Sequence, residues 1–261
     1  MEADIWPIVA APFVGSFLSV LILRLPACAS VLVGRSRCPA CGHALGPRDL
    51  VPLVSWLAQR GRCRHCGGAL SRLYPAIELG ALAVALWAAT MVSGWLLWAS
   101  CLLGWTLLAL AVIDIRALLL PDALTLPLIP AGLAVAYAID PAEMLDHAAG
   151  AAAGYGGFVL IELAYARLRG RAGLGRGDAK LLGAAGAWVS WSGLPFVVLL
   201  AALAALAANA VARVAGRPGA AATPVAVTPV AVTPVAFSPV AFGPWLALGT
   251  WLVWLYGAPA L

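Results

Sequence analysis

Residues 95–116 read Trp95-Leu-Leu-Trp-Ala-Ser-Cys-Leu-Leu-Gly-Trp-Thr-Leu-Leu-Ala-Leu-Ala-Val-Ile-Asp114-Ile-Arg116. No charge falls between Trp95 and Ile113, and then an acid and a base arrive within three positions. A helix crossing a bilayer needs about 20 mostly apolar residues. This stretch therefore predicts a membrane helix with a carboxyl group at its end. The chain around it follows the same pattern. Of its 261 residues, 63% are hydrophobic and 10% are charged, where a soluble domain carries about 25% charged residues. Mean hydropathy is +0.97. Candidate spans fall at 5–24, 73–92, 95–113, 123–139, 147–166, 179–191, 194–213 and 242–257. The expected fold class is an all-α polytopic membrane protein with about eight transmembrane helices and one sizeable loop domain. The sixth span is short, which predicts tilt or local distortion. The first apolar run, Ile5 to Leu23, has no basic segment before it and no clear small-residue cleavage site. It is read as a retained helix, not a removed signal peptide.

Charge fixes the expected orientation. Eight of the sixteen Lys and Arg residues lie between Arg24 and Arg72. Arg167, Arg169, Arg171, Arg176 and Lys180 form a second cluster. Positive charge beside spans marks the cytoplasmic side. Alternating the spans places 25–72, 114–122, 167–178 and 214–241 there. The opposite side receives Asp140, Glu143 and Asp146 and no Lys or Arg, and both termini face away from the cytoplasm. Membrane orientation thus accounts for the net charge of +5 without a nucleic-acid partner. The expected domains are a first helix (1–24), a cytoplasmic loop (25–72), a membrane core (73–213), a linker (214–241) and a last helix (242–261). In the linker, Thr223-Pro-Val-Ala-Val recurs from Thr228, Thr233 and Ser238 with small changes. Proline at every fifth position forbids a regular helix and predicts an extended linker without catalytic duty.

The loop carries Cys38-Pro-Ala-Cys41 and, after twenty-one residues, Cys63-Arg-His-Cys66. Two such knuckles suit tetrahedral coordination of zinc by four thiolates. A reducing cytoplasm disfavours two disulfides instead. His43 and His65 lie close enough in sequence to replace a thiolate, but four cysteines already complete a closed site. Such a site has no open position, so the metal is expected to be structural. Its work would be to fold a loop with little apolar core. Cys28 and Cys101 stand outside the pattern and are read as small buried residues.

Acids in membrane segments are costly and mark function. Glu78, Asp114, Asp122, Glu162 and Asp178 lie in or against the spans. Asp178 closes Gly173-Leu-Gly-Arg-Gly-Asp178 and opens the sixth span. With no preceding strand and no Gly-Lys-Ser/Thr ending, this run is not a phosphate loop. An Asp at a helix start is commonly a cap. The pairing argues for more, because Asp114 and Asp178 both sit at cytoplasmic span ends. Two neighbouring carboxyl groups sharing a proton can activate water and polarise a carbonyl. Asp122 is the alternative first carboxylate.

Gly173-Leu-Gly-Arg-Gly-Asp-Ala-Lys180 resembles the GxGD motif of type IV prepilin peptidases. Ile113-Asp-Ile-Arg116 with Leu120-Pro-Asp-Ala-Leu-Thr-Leu-Pro-Leu128 resembles the segment carrying that family's first catalytic aspartate. Gly15-Ser-Phe-Leu-Ser-Val20, Arg24-Leu-Pro26, Pro52-Leu-Val-Ser-Trp56, Tyr74-Pro-Ala-Ile-Glu78 and Gly243-Pro-Trp-Leu-Ala247 also fit, in order. The resemblance implies removal of the basic leader of prepilins or secretion pseudopilins at the cytoplasmic face of a bacterial inner membrane. It further implies methylation of the new amino terminus from S-adenosylmethionine. Two positions depart from the pattern: Ser19 replaces the usual Asn, and Asp49-Leu-Val-Pro52 lacks the usual Asn. Both lie in the part associated with methyl transfer.

Three other readings are weaker. A general intramembrane aspartyl protease does not need the cysteine loop. A proton-coupled transporter would show symmetry between its halves, which is not found. A zinc-bearing scaffold would leave the acids idle. Within the leading reading, Glu78 is the candidate to receive the basic leader, since the arginine-rich loops would repel it. Helix ends further suggest an ionised Asp178 and a protonated Asp114.

Overall fold

The computed structural model describes residues 4–31, 36–170, 175–215 and 241–257. It is almost wholly helical. The long elements are α1 (Ile5–Arg24), α3 (Leu73–Met91), α4 (Trp95–Ala117), α5 (Asp122–Ile139), α6 (Met144–Arg169) and α7 (Arg176–Val214). The loop holds a five-residue helix, α2 (Val54–Ala58), and the last helix is α8 (Gly243–Tyr256). Among the described residues, six helices are long and apolar enough to cross a membrane. The expected sixth and seventh spans form one element, α7, broken at Ser190 by a non-helical backbone (φ 61°, ψ 177°). At 14 residues, α8 is shorter than each of the six long helices. Of the pentapeptide repeats only Ala241 and Phe242 lie among the described residues.

The chain forms two compact units, Met1–Ala109 and Leu110–Leu261. This division groups α1 and α3 with the cysteine loop instead of joining α3 to the later helices. In the first unit α1 meets α3 backbone to backbone at Gly15. A Cβ there would lie 2.6 Å from the Glu78 Cα, so only glycine permits this approach. The buried Ser19 hydroxyl donates to the Gly15 carbonyl (3.1 Å) within its own helix. Between α3 and α4, the indole N–H of Trp105 donates to the Ala81 carbonyl (2.9 Å).

The second unit is built around the first half of α7, where residues 181–188 are all buried. Its small side chains let α6 approach closely. A Cβ on Gly150 would meet the Gly186 carbonyl, and one on Gly154 the Leu182 carbonyl. This is the small-residue seam that replaces hydrophobic driving force between membrane helices. On another side, Trp188 lies against Gly132 of α5 and donates its indole N–H to the Leu128 carbonyl (2.9 Å). Beyond the break, Val197 packs against Gly249 of α8. The first half of α7 is thus locked from several sides, and its N-terminal turn carries Asp178.

Candidate active site and metal centre

The last turn of α4 carries Asp114, whose helix runs four residues further than the sequence suggests. Its carboxyl group is buried, and Oδ2 accepts the backbone N–H of Gly243 at 2.9 Å. Gly243 is the first residue of α8, so Asp114 faces the N-terminus of another helix. A Cβ on Gly243 would fall 2.7 Å from Oδ2. This donor undoes the premise that Asp114 sees only a helix C-terminus. Helix ends therefore no longer separate the proton affinities of the two acids as the sequence suggested.

Asp178 lies in the first turn of α7, directly after Gly177. The neighbouring glycines give room more than unusual torsion. Gly175 has an ordinary extended backbone (φ −78°, ψ 133°). At Gly177 a Cβ would stand 3.0 Å from the Leu120 Cβ. Gly177 thereby lets the start of α7 lie against the turn joining α4 to α5. Gly173 falls outside the described residues. Asp122, the alternative carboxylate, opens α5, is largely exposed, and pairs with the Lys180 ammonium at 2.6 Å. Local reading places Lys180 only in a basic cluster, and places Gly243 only in a motif. Neither contact has a local signal, because the partners lie 58 and 129 residues apart.

In the first unit the four cysteine sulfurs of residues 38, 41, 63 and 66 lie within 4.8 Å of one another, a group able to hold a metal ion. The two knuckles are built alike. Cys38 N–H donates to the His43 carbonyl, and Gly42 N–H to the Cys38 carbonyl. Cys63 N–H donates to the Gly68 carbonyl, and Gly67 N–H to the Cys63 carbonyl. Each turn closes through Gly42 (φ 70°) or Gly67 (φ 69°), a left-handed conformation open to glycine at little cost. One antiparallel bridge ties each knuckle, Arg37 to Ala44 and Arg62 to Ala69. The backbone N–H groups of Cys41 and Ala40 bring the Cys38 thiol down to about 7, whereas at Cys66 the Gly68 N–H is outweighed by the neighbouring sulfurs and burial, which push that thiol up to about 11. His43 and His65 stack on each other (3.5 Å between ring centres) and are not in the sulfur cluster. Cys101 is buried as expected, but Cys28 is exposed, in a left-handed residue just past α1.

Glu78 is buried in α3, where its Oε2 accepts the Leu53 N–H at 2.7 Å. Leu53 itself has φ 59°, so this bond holds a turn that a leucine would not otherwise favour. Asp49 accepts from Gln59 and Gly46 (both 3.1 Å) and pairs with Arg64 (3.5 Å).

Residues 9–92 match the Bacterial Peptidase A24 N-terminal domain, and residues 101–209 match the Type IV leader peptidase family. Among curated relatives, the prepilin leader peptidase/N-methyltransferase of Aeromonas salmonicida (strain A449) is 39% identical over 213 residues, covering 72% of this chain and 73% of the relative. The protein of the same name from Burkholderia pseudomallei (strain 1026b) is 42% identical over 237 residues, covering 80% and 76%. That from Dickeya chrysanthemi is 40% identical over 212 residues, covering 72% and 75%. No solved structure matches the chain. Two family matches in tandem, and identity near 40% over most of both sequences, establish that the chain belongs to the type IV leader peptidase family.

Proposed function

We propose that this chain removes the leader peptide from type IV prepilins or type II secretion pseudopilins and methylates the amino terminus so exposed. The observations that support the peptidase assignment are the buried Asp114 at the end of α4, bonded to the start of α8, and Asp178 at the start of α7, whose neighbour Gly177 lies against Leu120 in the turn after α4. Asp114 and Asp178 form the catalytic dyad. With one proton between them, the ionised carboxylate takes a proton from water as that water attacks the scissile carbonyl. The protonated partner donates to the carbonyl oxygen. Asp122 is tied to Lys180 and serves as a link between α5 and α7.

The chain threads the bacterial inner membrane eight times. The break at Ser190 divides α7 into two passes, and α8 is the last. The cysteine loop and the dyad lie on the cytoplasmic side, where Arg and Lys gather and where the basic leader emerges. In this reading the loop of residues 25–72 serves methyl transfer. Cys38, Cys41, Cys63 and Cys66 hold zinc. Bonds of about 2.3 Å from a central zinc put tetrahedral sulfurs roughly 3.8 Å apart, and Cys38 and Cys66 stand at 3.9 Å. That metal folds the loop and takes no part in peptide cleavage. Methyl transfer draws on S-adenosylmethionine, which supplies an electrophilic methyl carbon. Glu78 is the first unit's candidate to receive the basic leader of the substrate.

Incubating the detergent-purified full-length protein with a prepilin and S-adenosylmethionine tests both activities by mass spectrometry. Loss of the leader and gain of one methyl group are expected. An unprocessed prepilin in the presence of folded protein would refute the assignment.

A further inference from the structure

The first unit contains a cavity of about 240 Å³ between α1, the cysteine loop and α3. Its lining includes Arg24, Asp49, Trp56, Gln59, Tyr74 and Glu78. Among the described residues, one donor on this wall lacks a partner, and one buried acid lacks a counter-ion. The Trp56 indole nitrogen is buried without a hydrogen bond, although a buried donor normally finds an acceptor. The Glu78 carboxyl is buried and held by the Leu53 N–H and the Ser16 hydroxyl. Among the described residues no Lys or Arg forms an ion pair with it. A buried acid so placed calls for a cationic ligand. The indole calls for an acceptor on the same ligand.

We infer that this cavity binds the methyl donor, an adenosyl sulfonium. Glu78 supplies negative charge for the sulfonium, and Trp56 supplies a ring face and a free N–H. This inference rests on the methyltransferase reading above. The donor set fits the ligand's chemistry piece by piece. Carboxylates beside an aromatic wall suit a cation that carries little hydration. Trp56 and Tyr74 offer stacking surface for a flat base. Gly61 keeps the indole in place, since a Cβ there would lie 2.9 Å from its Cζ2. Zinc and cavity are also joined through Asp49, which anchors the loop by Gly46, Gln59 and Arg64. Folding the knuckles thereby closes one side of the cavity.

The test measures binding separately from turnover. Full-length zinc-containing protein in detergent is irradiated with methyl-tritiated S-adenosylmethionine and digested, and the labelled peptides are sequenced. Affinity for S-adenosylhomocysteine and for a charged amine analogue of the donor is measured by calorimetry. Label should fall on peptides containing Trp56 or Tyr74. Glu78→Gln should weaken the charged analogue at least tenfold and the neutral homocysteine product much less. Trp56→Phe should weaken both to a similar extent. Zinc content identifies variants whose loop has not folded, and Tyr74→Leu then serves as the second probe. Label confined to residues 110–215, or unchanged affinities in zinc-containing Glu78→Gln and Trp56→Phe, would overturn the placement. If the wild type methylates a cleaved pilin peptide while labelling elsewhere, the placement alone fails. If it neither binds nor methylates, the methyltransferase reading fails with it.

Discussion

At Gly243 the absence of a methyl group leaves room for the Asp114 carboxyl, and the backbone N–H there is its hydrogen-bond donor. Gly243→Ala places a carbon 2.7 Å from Oδ2, so the carboxyl or the start of α8 must move by a good part of an ångström. Misplacement on that scale costs a reaction roughly 10²-fold. We expect leader cleavage by Gly243→Ala to fall by about that factor with zinc content and thermal stability near wild type, measured as kcat on a purified prepilin. Wild-type kcat would remove this contact from the mechanism. The acids themselves set a harder limit. General acid and base groups each contribute about 10²–10⁴-fold, and jointly acting groups are far from additive. Asp114→Asn and Asp178→Asn should therefore each lose at least about 10²-fold, and the double variant little more. Near-normal cleavage by either folded single variant would reject the dyad. Asp122→Asn breaks only the pair with Lys180, which is a largely exposed contact. Such pairs contribute up to about 1 kcal/mol, so this variant should retain most activity. An Asp122→Asn protein as inactive as the dyad variants would restore Asp122 as the first carboxylate.

Single elements differ in how plainly the sequence announces them. Each zinc knuckle is legible because it is local: two cysteines, a tight turn and a following glycine occupy five residues. The structure adds the reason for the glycines, which adopt φ 70° and 69°. Alanine in that conformation costs about 1–2 kcal/mol. Gly42→Ala should weaken zinc binding by roughly five- to thirtyfold on that scale, as measured by competition with a chelator, and Gly68→Ala offers a contrast. Gly68 has no positive φ, but a Cβ there would press on Ala40 and the Cys66 sulfur. Cys38→Ser with Cys63→Ser should abolish zinc and harm methyl transfer more than leader cleavage. The long helices were legible from apolar length alone, within a few residues of their ends. The break at Ser190 was visible only as an oddly short sixth span. The seam of Gly150 and Gly154 against Gly186 and Leu182 was not read, because small residues in an apolar run give no periodic signal. The contacts that finish the site, Asp114 with Gly243 and Lys180 with Asp122, join distant residues. Only the packing of α4, α5, α7 and α8 brings them together.

For the whole molecule, the decisive question is how often the chain crosses the bilayer, and α7 poses it most sharply. Thirty-nine residues of continuous helix would be about 58 Å long, against roughly 30 Å of hydrocarbon. Membrane helices tilt by at most about 40°, so tilt alone cannot bury that length. A break at Ser190 leaves a first part of about 21 Å and a second of about 36 Å. The short first part is packed against α5 and α6 and so does not need to match the lipid by itself. If the chain reverses at the break, Ser192 emerges on the face opposite Asp178, the same face as the acidic turn at 140–146. That face carries no Lys or Arg, in keeping with the positive-inside rule. Single cysteines introduced for Ala142, Ser192 and Ala117, all exposed positions, test this in a Cys28→Ala, Cys101→Ala background. In intact spheroplasts an impermeant maleimide should label Ala142→Cys and Ser192→Cys. It should label Ala117→Cys only after the membrane is opened. Labelling at 192 only after lysis would place that residue with the dyad and remove one crossing from each half of α7. No labelling at 192 under either condition would leave α7 unreversed within the bilayer, and the eight-span topology would fall.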